Sequence, residues 1–147
     1  MKIGRAIYRL ILFSFVATTV ISVRIYGQSD IISHVDRNID GTRYAITYVD
    51  RLTILDESQN LISTFSFPSD QSYTVPTASI SHDGTMIYIG NRSEKVIYTT
   101  DTFDEIVRLD EFDFGPSSVQ WSQDNTHIAA KAFASLQIYR VSDGMLL

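Results

Sequence analysis

The chain has 147 residues, 44% of them hydrophobic, no cysteine, and 17 acidic against 12 basic side chains for a net charge of −5. That is apolar material for one ordinary globular domain and excludes a disordered chain. The missing cysteine excludes disulfides, a lipid-anchoring cysteine and thiolate metal sites, and the acidic balance argues against nucleic acid as a partner, since that demands clustered Lys and Arg.

In chain order the first segment is basic, then apolar. Lys2, Arg5 and Arg9 precede "LILFSFVATTVISV", a run of 14 residues from Leu10 to Val23. A bilayer-spanning helix needs about 20 residues, so residues 1–27 read as a signal-peptide helix cleaved near Gly27, with an uncleaved N-terminal anchor as the alternative and the one route to a membrane. The location this implies is extracytoplasmic: secreted, periplasmic or at the cell surface. Loss of Lys2, Arg5, Arg9 and Arg24 leaves 8 basic against 17 acidic residues, or −9, in residues 28–147.

Residues 28–147 carry an internal repeat. Its anchors are "IDGT" (39–42), "HDGT" (82–85) and "QDNT" (123–126), which space Asp40, Asp83 and Asp124 by 43 and 41 residues, the length of a four-stranded blade. Before each anchor lies a first strand, "IISHV", "TASIS" or "SSVQWS"; after it come "RYAITY", "MIYIG" or "HIAAKA", then "RLTIL", "KVIYT" or "LQIYR". A fourth apolar segment closes each unit: "LISTF", "EIVRL" and a short "MLL". β-branched and aromatic residues fill the strands, and Asp, Gly, Asn and Ser fill the turns. Asp40-Gly41, Asp83-Gly84 and Asp124-Asn125 tolerate the positive φ of a tight hairpin and are expected to reverse the chain between the first two strands of each unit. The expected units are about 31–73, 74–114 and 115–147.

Two stretches carry a resemblance. "SISHDGTMIYIGNRSEKVIYTTDTFDEIVRL" (79–109) and "FGPSSVQWSQDNTHIAAKAFASLQIYRVSDGMLL" (114–147) resemble the YVTN-type and WD-like β-propeller repeat, with His82 and Gln123 where that pattern has Pro. The resemblance implies an all-β chain of antiparallel four-stranded blades, about three of them, forming an incomplete β-propeller behind the signal-peptide helix. Its motifs specify a blade rather than a chemistry. Because closed propellers use about 4 to 8 blades, the chain is expected to be a piece of a longer propeller or to complete itself by self-association. The middle unit, flanked on both sides, should cover Ile87, Ile89, Ile97 and Tyr98 better than the outer units cover Ile46, Ile54, Ile128 and Ile138.

No nucleotide loop, zinc-protease motif or nucleophile elbow is present, so no catalytic residue, cofactor or metal is assigned. His34, His82 and His127 read as polar residues at strand starts and turns, and Trp121 as a core aromatic. Asp101, Asp104, Glu105, Asp110, Glu111 and Asp113 read as a solvated acidic surface, and "NRS" at 91–93 is a glycosylation acceptor pattern. In a propeller the loops leaving each blade share an end with those between its second and third strands. That end gathers Phe67, Tyr73, Arg92, Asp113 and Phe133, aromatics beside charges, as the candidate ligand-binding residues. The function expected is an exported, non-catalytic module that binds a protein or carbohydrate. The alternative is the propeller domain of a larger hydrolase or oxidoreductase.

Overall fold

The computed structural model describes residues 9–11, 22–24, 32–67, 76–91, 94–109, 118–132 and 135–147. Two compact units divide it, Met1–Asp30 and Ile31–Leu147. In the first, strands β1 (Arg9–Ile11) and β2 (Ser22–Arg24) pair antiparallel. The signal-peptide helix expected over 1–27 otherwise falls on residues outside the described ones.

The second unit is all-β, with no helix among its described residues. Its first sheet runs in sequence order through β3 (Ile32–Arg37), β4 (Arg43–Tyr48), β5 (Arg51–Asp56) and β6 (Leu61–Ser66). The second holds β7 (Thr77–Ile80), β8 (Met86–Gly90), β9 (Lys95–Thr99) and β10 (Glu105–Arg108). The third holds β11 (Ser118–Trp121), β12 (His127–Ala132) and β13 (Ser135–Arg140). Beyond them, a single bridge from Tyr139 to Leu146 stands where a fourth strand would lie. All pairings are antiparallel, as hairpin connections of a few residues require.

Turn chemistry explains why the strands break where they do. Gly41 and Gly84 have φ of 69° and 75°, and Asn125 holds 58° at the same place in the third unit. In units 2 and 3 the turn is closed by a repeated hydroxyl–carboxylate knot. Ser81 Oγ and Thr85 Oγ1 donate to Asp83 Oδ1, while Ser81 Oγ accepts the Met86 N–H. Ser122, Asp124, Thr126 and His127 repeat it atom for atom. In unit 1 the buried Asn38 replaces the serine: its Oδ1 accepts the Arg43 N–H at 2.9 Å, and its Nδ2 donates to Thr42 Oγ1 at 3.0 Å.

Burial follows from strand alternation, because each sheet presents one face to each neighbour. Ala45, Leu52 and Ile54 of sheet 1 pack on Ala78, Ile80, Ile87 and Ile89 of sheet 2. The opposite face of sheet 2, with Tyr88 and Ile97, packs with Leu109 on Val119, Trp121, Ile128, Ala130 and Tyr139. This corrects the expectation that the outer units would be less covered: Ile46, Ile54 and Ile128 are as buried as Ile87 and Ile97, whereas Tyr98 is half-buried and Ile138 is exposed. The physical reason is that each outer sheet keeps one face against the middle sheet. Ile54 and Ile128 lie on those faces.

Candidate functional site

The first strands β3, β7 and β11 are the neighbours at which the three sheets converge. Between them runs a groove of about 740 Å³, lined by residues of all three strands and of the β7–β8 turn. Ser33, His34, Arg37 and Gln120 are exposed in it, and Asp36 and His82 are half-buried. Apolar backing comes from Ala78, Ile80, Val119 and Trp121, whose other contacts belong to the cores between sheets.

Hydrogen bonds across the sheets fix this lining. Asp36 Oδ2 accepts the Ser79 hydroxyl at 3.1 Å and the Ile80 N–H at 3.0 Å, tying β3 to β7. Trp121 Nε1 donates to the Ser79 carbonyl at 3.0 Å, tying β11 to β7. At one end the turns link in series: the Ile39 N–H donates to the His82 carbonyl, and the His82 N–H donates to Asn125 Oδ1 at 3.0 Å. His82 Nδ1 is buried with no partner among the described residues.

Chemically, the arrangement can recognise a polar partner. The Ser79 hydroxyl donates to the Asp36 carboxylate, a tie between strands β3 and β7. Among the described residues no three His, Asp or Glu side chains converge as cation ligands. An exposed guanidinium, two imidazoles, an amide and hydroxyls on a rigid apolar backing suit a partner with carboxylate or carbonyl groups.

The residues expected from the sequence fall differently. Phe67 is half-buried: its ring lies 5.9 Å from Phe65, which in turn stands 5.2 Å from Tyr98 and 5.3 Å from Phe103, so it packs at the rim of the core between sheets 1 and 2. Tyr73, Arg92, Asp113 and Phe133 lie outside the described residues. Asp40, Gly41, Asp83, Gly84, Asp124 and Asn125 sit in the turns between the first two strands. His34 and His82 line the groove while His127 begins β12. Apart from His82 in the β7–β8 turn, the groove residues were missed because they lie on strands or just before one. One signal could have found them: Asp36, Ser79 and Gln120 recur at the same 43- and 41-residue spacing as the turns, polar in every unit.

No family model matches the sequence, and no curated protein matches it. Among solved structures the chain is similar to the C-terminal WD40 domain of Sif2, with a TM-score of 0.63 and 21% identity over 80% of this chain. It spans 36% of that chain's length. At this identity the likeness is one of fold.

Proposed function

We propose that this chain, a partial WD40-like β-propeller, is an exported, non-catalytic binding module that holds a polypeptide or carbohydrate partner along the groove between its first strands. The observation that carries this reading is the convergence of Ser33, His34, Arg37, His82 and Gln120 on one groove of about 740 Å³ backed by buried apolar side chains. Rigid walls lower the ordering cost of binding, and polar groups facing the groove supply orientation. Loop residues Tyr73, Arg92, Asp113 and Phe133, with Phe67, extend the site in this proposal. Export rests on Lys2, Arg5 and Arg9 ahead of the apolar run.

Peptide and glycan arrays probed with the full chain identify a partner, and calorimetry with Arg37→Glu and Gln120→Ala then tests the groove. A tenfold or greater loss, about 1.4 kcal/mol, supports it, and unchanged affinity in both variants overturns it. For export, protein recovered from its host should lack about the first 27 residues, within the usual signal-peptide range. Full-length protein in the cytoplasm overturns that part alone.

A further inference from the structure

Three turns of the chain carry the pair Asp-Gly: Asp40-Gly41, Asp83-Gly84 and Asp143-Gly144. All three glycines hold a positive φ, of 69°, 75° and 72°, and each donates its N–H within its turn, to the carbonyl of Asn38, Ser81 or Arg140. The carboxylates are what differ. Asp83 Oδ1 accepts the Ser81 hydroxyl at 2.7 Å, the Thr85 hydroxyl at 2.9 Å and the Thr85 N–H at 3.0 Å. Asp143 Oδ2 accepts from Arg140 Nη1 at 2.8 Å, and its Oδ1 from the Met145 N–H at 3.1 Å. Asp40 is exposed and accepts no hydrogen bond among the described residues.

Asn38 accounts for the difference. Where units 2 and 3 have a serine that donates to the carboxylate, Asn38 turns its Nδ2 to Thr42 Oγ1 and takes the Arg43 N–H on its Oδ1. The turn is closed without Asp40, whose side chain is left to rotate. Its exposure does not come from a missing neighbour, since Asp83 is exposed too with a sheet packed on each side of its own.

An aspartyl carboxyl can be attacked by the backbone nitrogen that follows it, and a glycine there has no Cβ to hinder the approach. The reaction is intramolecular, so its rate follows how often the reacting atoms reach bonding geometry. At Asp83 and Asp143 the carboxyl must first leave its donors; at Asp40 nothing holds it. Partial burial pushes the Asp83 carboxyl up, but its donors outweigh this and keep it below the ordinary value, which depletes the protonated form that loses water.

We propose that Asp40-Gly41, freed by Asn38, is a site of spontaneous backbone isomerisation, at which Asp40 converts to isoaspartate. The Gly41 nitrogen bonds to Asp40 Cγ, the Cγ–OH bond breaks, and the hydroxyl leaves as water with the amide proton. Solvent water then opens the cyclic imide at either carbonyl. Opening at Cγ restores aspartate; opening at the α-carbonyl leaves the chain running through Cγ, with a free α-carboxylate. Mass is unchanged, but the turn gains a backbone carbon beside the Ile39 N–H that donates to the His82 carbonyl. Isomerisation therefore loosens the tie between the turns at that end of the groove.

The full chain, incubated at neutral pH and sampled over weeks, tests this. Tryptic cleavage after Arg37 and Arg43 releases residues 38–43, and the isoaspartyl form of that peptide separates by chromatography at equal mass. Isomer at Asp40 should accumulate about tenfold faster than at Asp83 or Asp143, the factor that one retained hydrogen bond gives. In guanidinium chloride, where the turns are lost, that lead should vanish. Asn38→Ser restores to unit 1 the serine of the other turns, and should slow the reaction at Asp40 in a chain that keeps its thermal transition. Equal rates at the three sites in the folded chain, a lead of Asp40 that persists in denaturant, or a folded Asn38→Ser chain that isomerises as fast as the parent would each overturn the proposal.

Discussion

At the junction of units 1 and 2, β4 presents Ala45 where β8 presents Tyr88 to the junction of units 2 and 3. The first junction makes up for the smaller side chain with polar bridges and a rim of aromatics. Asp36 holds Ser79 and Ile80; Arg43 Nη1 donates to Thr100 Oγ1 at 2.7 Å and pairs with Asp101; Phe65, Phe67 and Phe103 close the edge. The second junction relies more on volume: Tyr88, Trp121 and Tyr139 fill it, Met86 stands where unit 1 has Arg43, and its bridges run from Trp121 Nε1 to the Ser79 carbonyl and from the His82 N–H to Asn125 Oδ1. One repeat position therefore accepts Ala or Tyr, and another Arg or Met, provided the pair of sheets is filled and its polar groups are bonded. Side-chain identity at a blade junction is set jointly across both faces rather than residue by residue.

Truncating the second junction should have the largest effect. Trp121→Ala removes its largest ring and leaves the Ser79 carbonyl without its side-chain donor. A loss of about 3–5 kcal/mol is expected, as for other buried Trp or Phe truncations. Urea unfolding of the full chain measures it, and a loss below about 1 kcal/mol would mean that volume does not hold this junction.

The first junction is most sensitive at a turn. Gly84 has φ of 75°, and a Cβ there would stand 3.0 Å from Asn38 Nδ2 and 3.1 Å from Arg43 Cδ of unit 1. Gly84→Val combines left-handed backbone strain with pressure on the buried Asn38, for about 2 kcal/mol. A denaturation midpoint equal to that of the parent would remove the turn from this account.

Much of this was legible in the sequence. Strands Arg43–Tyr48, Met86–Gly90 and Lys95–Thr99 lie where β-branched and aromatic runs are bounded by polar turn residues such as Asp, Gly and Asn. Those boundaries are set by local turn chemistry, which a sequence displays directly. Asn38 was not recognised as the counterpart of Ser81 and Ser122, because an amide replaces a hydroxyl and the equivalence appears in the hydrogen bonds to Arg43, Met86 and His127. Nor was the groove, since whether Ser33, His34 or Arg37 faces it depends on a register shift in β3 between Ile32 and His34.

Acid should separate the units next. Hydrogen bonds from the Ser122 and Thr126 side chains hold the Asp124 carboxyl well below the ordinary carboxylate range. At Asp83 partial burial pushes the carboxyl up, but donors on Ser81 and Thr85 outweigh it, so it too lies below. A carboxyl depressed in the folded state contributes stability that is complete above its unfolded value, about 3.9, and is lost as pH falls toward the folded value. Unit 1 closes its turn with the Asn38 amide, which carries no titrating proton in this range. Stability should therefore fall below about pH 4 through the hairpin turns of units 2 and 3. Asp56 of unit 1, which the Asn60 side chain also holds low, adds a contribution, and Asp83→Asn with Asp124→Asn should reduce that fall. At Asp83 the effect is expected to be under about 1 kcal/mol after solvent screening. An acid limb equally steep in the double variant would place the sensitivity elsewhere.

The smallest expected effect concerns the residue with which the comparison began. Tyr88 is 0% exposed, burial pushes its phenol far above the ordinary value, and its hydroxyl has no partner among the described residues. The ring leans along β8 over Gly90, where a Cβ would lie 1.9 Å from the hydroxyl oxygen. Volume, then, is what Tyr88 contributes, while its oxygen carries a desolvation cost that no hydrogen bond offsets. Tyr88→Phe keeps the ring and removes the oxygen, so stability should stay level or rise by up to about 1 kcal/mol. Gly90→Ala should lower it, because the ring must leave its place. If Tyr88→Phe instead costs more than about 1 kcal/mol, the hydroxyl is bonded in solution, and Tyr88 adds a polar bridge to those that Trp121 and His82 already make across the second junction.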